Sequence, residues 1–405
     1  MSLQFDSGIL PLGFKASGIS AKIKKSGKKD LALFYSLRPC VAAGLFTSNR
    51  IQAAPLEISR RHLTKGSLKA VVVNSGNANC MTGKQGLLDA ITTTQLVARS
   101  LSIDAGQVLV SSTGIIGKFL PMEKIRAAVP VLAKKLSYKG LSDAASAILT
   151  TDTFRKEVSK IFRIGHKRVI ISGIAKGAGM IAPQMKTCLP AGRHATMLAY
   201  IFTDASVTGK VLKKALRDAV GVSFNAITID GCMSTNDTVV AMANGASDSA
   251  LIKSGTAVEA VFCLALKEVC LALAKMIVRD AEGATKFIEI RVKGASNYSS
   301  AKQLAFSVAN SNLFKCAMFG SDPNWGRIAA ALGSIPSALK AEKLDINLNK
   351  KFVFKNGKPV PVKNNDFLRG SNVRVDIDLH VGRAEACVYT SDLSYGYVRI
   401  NADYN

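Results

Sequence analysis

Hydrophobic positions along this chain alternate between short runs rich in valine and isoleucine and longer stretches with helical spacing. The short runs, such as "KAVVVNSG" and "KRVIISGIA", favour strands. They predict strands at residues 32–37, 69–76, 107–113, 167–175, 196–205, 287–294 and 373–382. Apolar residues spaced three and four apart predict helices at residues 86–101, 122–136, 208–220 and 256–279. Because strands and helices alternate, we expect an α/β or α+β protein.

Two glycine-containing segments lie within this pattern. Asn356 and Gly357 separate two β-prone runs, which is typical of a tight hairpin turn. The segment "GAGMIA" follows a predicted strand and matches a dinucleotide-binding fingerprint. A phosphate-binding loop of that type must lead into a helix, whereas Pro183 and then "CLPAGRH" would break a helix within one or two turns. We therefore expect no nucleotide site here.

The length and the charge of the chain limit its architecture and its partners. With 405 residues it exceeds what one compact core usually holds, so we expect two lobes or one large sandwich. The formal net charge of +26 makes a nucleic-acid-binding protein an alternative. The lysines are spread along the chain, and no zinc finger or RNA-recognition signature accompanies them, so a solvated basic surface is the preferred interpretation.

Cysteine and histidine spacing argues against metal or triad chemistry. None of the eight cysteines forms a C-x-x-C pair, so we interpret them as free thiols in a reducing compartment. The four histidines are scattered and indicate neither a zinc site nor a serine–histidine–aspartate triad. The most apolar window, residues 260–278, carries three charged residues on one helical face, which predicts a buried helix and not a membrane span. The N-terminus lacks the features of a secretory signal, so we expect a cytoplasmic protein.

Two threonines, Thr187 and Thr196, each precede an apolar run in "KTCLPAGRHATMLAYIFTDA". If the Thr196 hydroxyl attacks the carbonyl of Ala195, the resulting ester hydrolyses and Thr196 becomes a new chain N-terminus. Its free amine, with a pKa of roughly 7.7 to 8.0, then serves as the base for its own hydroxyl. One residue would supply both nucleophile and base.

A series of motifs accompanies this segment, in one order along the chain: "FTSNRIQAAP", "VVNSGNANCMTG", "SSTGIIG", "LTTDTF", "IAKGAGMIAP", "ATMLAYIFTDA", "STNDTV", "RDAEGATK", "GSDPNWGR" and "YVRINADY". Together they resemble the ornithine acetyltransferase family, the glutamate N-acetyltransferases of the cyclic arginine pathway. Members of this family cleave themselves and use an N-terminal threonine nucleophile. The resemblance implies a layered α/β/β/α sandwich that is cleaved into two chains, residues 1–195 and 196–405.

The resemblance also implies roles for individual residues. Thr196 would be the nucleophile released by cleavage after Ala195, and Thr113 with Gly114 would form the oxyanion hole. Four residues match the substrate-contacting positions of the family: Thr153, Lys176, Glu282 and Asn401. Taken singly, the threonines also fit turn positions, Lys176 a solvated cation and Glu282 a helix-end charge. Taken together in their motifs, they favour the functional interpretation.

The position of the nucleophile needs a physical criterion, because residues 186–194 form an insertion relative to the family pattern. Counting from Lys176 places the nucleophile at Thr187, and counting back from the following strand places it at Thr196. Thr196 leads into an unbroken apolar run, whereas Pro190 follows Thr187 closely and would interrupt a strand. We therefore favour Thr196, with Thr187 as the competitor, and the insertion leaves cleavage itself open.

The implied reaction is a ping-pong transfer of acetyl from N-acetyl-L-ornithine to L-glutamate in an α₂β₂ heterotetramer, without metal or cofactor. Some members also use acetyl-CoA as acetyl donor, and the sequence leaves that open. An N-terminal-nucleophile aminopeptidase or amidase is the enzymatic alternative. The family usually continues past "NADY" to a terminal threonine or serine, whereas this sequence ends at Asn405; we expect weaker substrate binding as a result.

Overall fold

The structure is a computed structural model that describes residues 8–186 and 197–403. Its strands are β1 Phe14–Ile19, β2 Leu31–Thr47, β3 Leu68–Asn77, β4 Val108–Ile115, β5 Lys156–Ile164, β6 Lys167–Lys176, β7 Met185–Lys186, β8 Leu198–Thr203, β9 Thr238–Ala243, β10 Phe287–Ala295, β11 Asp345–Leu348, β12 Lys351–Lys355, β13 Lys358–Pro359, β14 Asn372–Asp378 and β15 Ala384–Ser391. Its α-helices are α1 Ala54–Lys65, α2 Gly83–Leu101, α3 Met122–Lys134, α4 Leu141–Ile148, α5 Gly209–Gly221, α6 Ala257–Arg279, α7 Tyr298–Ala309, α8 Asn312–Phe319, α9 Trp325–Gly333 and α10 Tyr395–Ala402.

The chain forms two compact units. The first contains the described residues of Met1–Asn225 and Cys232–Ile277, and the second contains Ala226–Gly231 and the described residues of Val278–Asn405. The predicted division into residues 1–195 and 196–405 concerns cleavage of the covalent chain. Its boundary lies outside the described residues, so that division stays a prediction.

The first unit is built on a mixed sheet with the strand order β4-β3-β2-β9-β8-β6-β5, to which β1 and β7 add by pairing with β2. The first part of β2 pairs with β1 and β3, and its last part pairs with β9 and β7. Side chains from the two parts of the sheet face each other across a shared core, where Phe34 stacks on Tyr200 and Phe202 with ring centroids 5.7 Å and 4.9 Å apart. The long strand β2 thus belongs to two layers.

Helices cover the outer faces of both layers in this unit. On the β1–β4 layer, Val97 of α2 and Val129 of α3 share an apolar cluster with Val72. On the other layer, α6 approaches β6 so closely that a Cβ at Gly173 would lie 2.7 Å from the Leu273 side chain. The order helix, sheet, sheet, helix confirms the predicted α/β/β/α layering.

The second unit contains a six-stranded sheet with the order β13-β12-β11-β14-β10-β15. Strand β10 pairs in parallel with β14 and antiparallel with β15. Isoleucines of β10 and apolar residues of α7 form part of one core cluster. The predicted hairpin turn is confirmed: β12 and β13 are joined by Asn356 and Gly357, whose φ angles of 48° and 71° are those of a type I′ turn.

Each predicted strand or helix overlaps an observed element of the same type. The last predicted strand, residues 373–382, ends early at Asp378, because His380 has a φ of 50° that turns the chain. The glycine-rich segment after β6 leads into a coil, as expected, and not into a helix. In the described ranges, no helix combines the length and the apolar composition needed to cross a membrane.

Candidate active site

The predicted oxyanion segment lies at the end of β4, next to the end of β3. Thr113 is buried, and it pairs with Ser75 in the parallel ladder between these strands. Gly114 has a φ of +135°, and a Cβ there would lie 2.4 Å from the backbone nitrogen of Asn77. Only glycine fits this conformation and this close approach. The structure therefore explains why Gly114 follows Thr113, whatever the chemistry of the pair.

A buried charge cluster surrounds Lys176 at the end of β6. Its ammonium lies 3.8 Å from Asp152 Oδ2, and Lys156 Nζ donates to Asp152 Oδ1 at 2.7 Å. The side chains of Asp152 and Lys156 are fully buried, and that of Lys176 is 4% exposed. Burial alone would raise the pKa of Asp152, but the ammonium groups of Lys176 and Lys156 hold it below its usual range. The alternative interpretation of Lys176 as a solvated cation is wrong.

Asp152 also orders the backbone around this cluster. It accepts hydrogen bonds from the backbone nitrogens of Thr150, at 2.9 Å, and Gly177, at 2.7 Å. Thr153 follows Asp152 directly and is exposed, beside Phe154 and Arg155 at the wall of an open cleft. A predicted substrate residue is thus adjacent in sequence to the carboxylate that holds Lys176.

The strand that follows Thr196 starts beside Lys176. In the antiparallel pairing of β6 and β8, Lys176 is opposite Leu198. The backbone nitrogen of the preceding Met197 donates to Asp237 Oδ1 at 2.6 Å. Asp237 is buried, and burial raises its pKa to about 8, an effect that its hydrogen bonds and Lys176 oppose.

Glu282 and Asn401 meet in the second unit. Asn401, on α10, donates from Nδ2 to Glu282 Oε2 at 2.9 Å. Glu282 follows the end of α6 and is buried, so it is not an exposed helix-end charge. The hydroxyl of Ser394, which caps α10, donates to the carbonyl of Gly283 and holds this helix against the turn that carries Glu282.

The described site residues are divided between the two units. Lys176, Thr113, Gly114 and Thr153 belong to the first unit, and Glu282 and Asn401 form a contact in the second. Ala195, Thr196 and the competing Thr187 lie outside the described residues, as does the end of the chain at Tyr404 and Asn405. Within the ranges that are described, no three histidine, cysteine or acidic side chains are grouped so as to hold a metal ion.

Two chemically important residues escaped the sequence prediction. Asp152 stands inside the motif "LTTDTF", and Asp237 inside "STNDTV". Within these two motifs, the family resemblance assigns a role only to Thr153. A signal was present, because each aspartate is followed by a threonine within a run of polar residues, where aspartate side chains often bind backbone amides. Its partners, Lys176 and Met197, are distant in sequence and could not be identified from the pattern.

Comparison with known proteins identifies the family. The sequence model of the ArgJ family matches residues 15–405. The arginine biosynthesis bifunctional protein ArgJ of Geobacter sulfurreducens is 47% identical over 397 residues, which cover 97% of this chain and 98% of the relative. The protein of the same name from Symbiobacterium thermophilum is 45% identical and covers 97% of both chains.

A solved structure is also similar: ornithine acetyltransferase complexed with ornithine, from Mycobacterium tuberculosis, is 41% identical, with a TM-score of 0.42, and the match covers 44% of this chain and 96% of that one. The resemblance inferred from the motifs is confirmed by the family match and by the two curated relatives. The chain belongs to the ArgJ family.

Proposed function

We propose that this chain, an N-acetyltransferase of arginine biosynthesis, transfers acetyl from N-acetyl-L-ornithine to L-glutamate through an acetyl ester on Thr196. The observation that carries the proposal is the buried Lys176, which is paired in register with Leu198 at the start of the strand that follows Thr196. A buried ammonium at this point suits the α-carboxylate of an amino-acid substrate.

Maturation is the first step of the proposed function. Thr196 Oγ attacks the carbonyl carbon of Ala195, the peptide C–N bond breaks, and the new amine of Thr196 takes up a proton. Water then hydrolyses the ester between the two residues. The products are the chains 1–195 and 196–405, and the free amine of Thr196 becomes the base of the mature enzyme.

Acetyl transfer uses the same hydroxyl twice. The amine accepts the proton of Thr196 Oγ as the oxygen attacks the acetyl carbonyl of N-acetylornithine. The hydroxyl of Thr113 and the backbone N–H of Gly114 stabilise the oxyanion, and one such donor is typically worth about 2.7 to 4 kcal/mol. The acetyl C–N bond breaks, and ornithine leaves with the proton. The amine of glutamate then attacks the acetyl ester, and the Thr196 hydroxyl forms again.

The remaining parts of the proposal rest on the family resemblance. Thr153, Glu282 and Asn401 are proposed as further substrate contacts. The mature assembly is proposed to be an α₂β₂ heterotetramer in the cytoplasm that needs no cofactor. Acetyl-CoA is a proposed second acetyl donor, which an assay with acetyl-CoA and glutamate tests directly.

Intact mass and N-terminal sequencing of the purified protein test the maturation step. A fragment that begins Thr-Met-Leu-Ala supports Thr196, and one that begins Thr-Cys-Leu-Pro would move the nucleophile to Thr187. A single uncut chain contradicts the cleavage. Substitution of Thr196→Ala is expected to abolish both cleavage and turnover.

Release of ornithine from N-acetylornithine tests the transfer step. Release that depends on glutamate, together with formation of N-acetylglutamate, supports the transferase. Release at the same rate without glutamate, together with free acetate, would instead support the amidase alternative, because water would then be the acetyl acceptor.

A further inference from the structure

The proposed chemistry requires two chain segments to keep a fixed distance. Thr113 lies at the end of β4, and Thr196 immediately precedes Met197 and β8. In the sheet order, β3, β2 and β9 separate these two strands. No ladder hydrogen bond can therefore join them directly, so another element has to set their relative position.

The first contact of such an element is made by Asp237, just before β9. Its Oδ1 accepts the Met197 N–H at 2.6 Å, and the neighbouring backbone nitrogen of Thr238 donates to the Met197 carbonyl at 3.0 Å. Asp237 Oδ2 accepts from the backbone nitrogen of Ser234 at 3.3 Å. Both backbone groups of the residue after Thr196 are thus bound by two consecutive residues.

The second contact is made by Asn236, on the same segment. Its Nδ2 donates to the carbonyl oxygens of Ser112, at 2.8 Å, and Ala78, at 2.7 Å. Ser112 immediately precedes Thr113, and Ala78 follows the end of β3. Asn236 is buried, so its amide makes both hydrogen bonds away from water.

The segment itself is held in one conformation. The backbone nitrogen of Asn236 donates to Ser234 Oγ at 2.8 Å, and Thr235 Oγ1 donates to Asn236 Oδ1 at 2.5 Å. Thr47 Oγ1 donates to the Ser234 carbonyl at 2.6 Å. All four side chains of the segment are buried. A buried network with this many satisfied groups is rigid.

We propose that Ser234–Asp237 is a positioning segment, in which Asn236 holds the strand that ends at Thr113 and Asp237 holds the strand that begins after Thr196. The proposal rests on the proposed role of Thr196. It makes Asn236 and Asp237 positioning residues that act through their neighbours. Since a misplacement of about 1 Å can cost about 100-fold in rate, the loss of either contact should slow the chemical steps.

The far ends of β8 and β9 provide matched controls. Asp204 follows β8, is buried, and accepts from the backbone nitrogens of Ile170 at 2.8 Å and Leu12 at 3.0 Å. Asn244 follows β9, is buried, and donates from Nδ2 to the carbonyl of Leu12 at 2.9 Å. Each control removes a similar buried contact at the end of the strand that is remote from Met197.

The experiment compares Asp237→Ala with Asp204→Ala, and Asn236→Ala with Asn244→Ala, in the full chain. Self-cleavage is followed by intact mass, and kcat and KM are measured with N-acetylornithine and glutamate. Urea unfolding of each variant reports its stability. Asp237→Asn is included because the Oδ1 of the asparagine can still accept a hydrogen bond from the Met197 N–H.

We expect Asp237→Ala and Asn236→Ala to slow self-cleavage and to lower kcat by about 100-fold, with KM for N-acetylornithine changed less than about threefold. The two control variants should keep kcat within about threefold of wild type, even where their urea midpoints fall as far as those of Asp237→Ala and Asn236→Ala. Asp237→Asn should recover most of the rate that Asp237→Ala loses.

If the control variants lose as much kcat as Asp237→Ala and Asn236→Ala, the proposal is overturned, because the loss of kcat would then reflect lower stability alone. An increase in KM with kcat unchanged would also overturn it, because it would indicate substrate binding. Absence of cleavage and of acetyl transfer in the wild-type protein would instead contradict the proposed function. The wild-type measurement therefore separates the two failures.

Discussion

Replacing Asp152 with asparagine would remove the negative charge that lies between two buried ammonium groups. Asp152 and Lys156 are fully buried and 2.7 Å apart, and Lys176 lies 3.8 Å away on the other carboxylate oxygen. The amide oxygen of asparagine could still accept from Gly177, but its NH₂ group would face the N–H of Thr150. The substitution therefore removes the carboxylate charge beside two buried ammonium groups and leaves one backbone donor unsatisfied.

The expected magnitude follows from this environment. Removing one partner of a buried ion pair typically costs about 3 to 5 kcal/mol, because the remaining charge stays buried. An exposed pair is worth less than about 1 kcal/mol. Asp143 and Lys29 form such a pair, with side chains that are 59% and 39% exposed. Asp143→Asn is the matched control, and the two substitutions should differ by about 2 kcal/mol or more in the free energy of unfolding.

Urea unfolding at pH 7 and at about pH 3, which lies below the unfolded pKa of the aspartate, measures this difference. The pKa of Asp152 is lower in the folded protein than in the unfolded chain, so its contribution to stability is present above the unfolded value of about 3.9 and is lost as the pH falls through the folded value. The gap between wild type and Asp152→Asn should therefore narrow in acid. A loss at pH 7 no larger than that of Asp143→Asn would refute the reasoning.

Three further predictions concern the oxyanion segment, the second unit and a buried lysine. Gly114→Ala places a methyl group 2.4 Å from the Asn77 nitrogen, so kcat should fall by about 10² to 10³, the loss typical of one oxyanion donor. Asn401→Ala removes the hydrogen bond to Glu282 and should raise KM for N-acetylornithine by about tenfold, the effect of about 1.4 kcal/mol of binding, in steady-state assays. Lys315 is buried, which lowers its pKa to about 8, so the unfolded chain binds more protons above that pH. The wild-type free energy of unfolding should therefore rise between pH 8 and pH 10 more than that of Lys315→Met.

A specific result would contradict each of these three predictions. Gly117 also has a positive φ, of +82°, but its Cβ would meet nothing within 4 Å. A Gly117→Ala variant that loses as much kcat as Gly114→Ala would show that backbone strain alone is responsible. An unchanged KM in Asn401→Ala would remove Asn401 from the substrate contacts. Lys343 is exposed, and if Lys343→Met changes the pH dependence as Lys315→Met does, burial is not the cause.

The strands and helices that were predicted correctly are those with a clear hydrophobic pattern along the sequence. Strands β3, β4 and β6 each contain a short run of valine, leucine or isoleucine, and α2, α3, α5 and α6 have clear helical spacing. The helices α1, α4, α7, α8, α9 and α10 were missed. None is longer than 12 residues, and the buried positions of α7 and α8 are partly alanines such as Ala301 and Ala317, which carry little hydrophobic signal.

The residues of the candidate site could also be predicted only in part from the sequence. The motifs identified Lys176 and Glu282 as candidates, but the contacts that explain their burial join residues far apart in the sequence. Asp152 reaches Gly177 across 25 positions, and Asn236 reaches Ser112 across 124. Periodicity and spacing report neighbours within a few residues, so they carry no information on these pairs.

The sequence by itself determined the family, the strands and helices with clear periodicity and the Asn356–Gly357 turn, because motif order, side-chain periodicity and turn chemistry are properties of the chain alone. The tertiary structure decided which polar groups are buried and what they bind. It divided the long strand β2 between two layers, and it brought Asn236 and Asp237 to the ends of two strands that are not neighbours in the sheet. These contacts form only when the whole sheet is assembled, because buried polar groups then have to find partners in the fold and no longer in water.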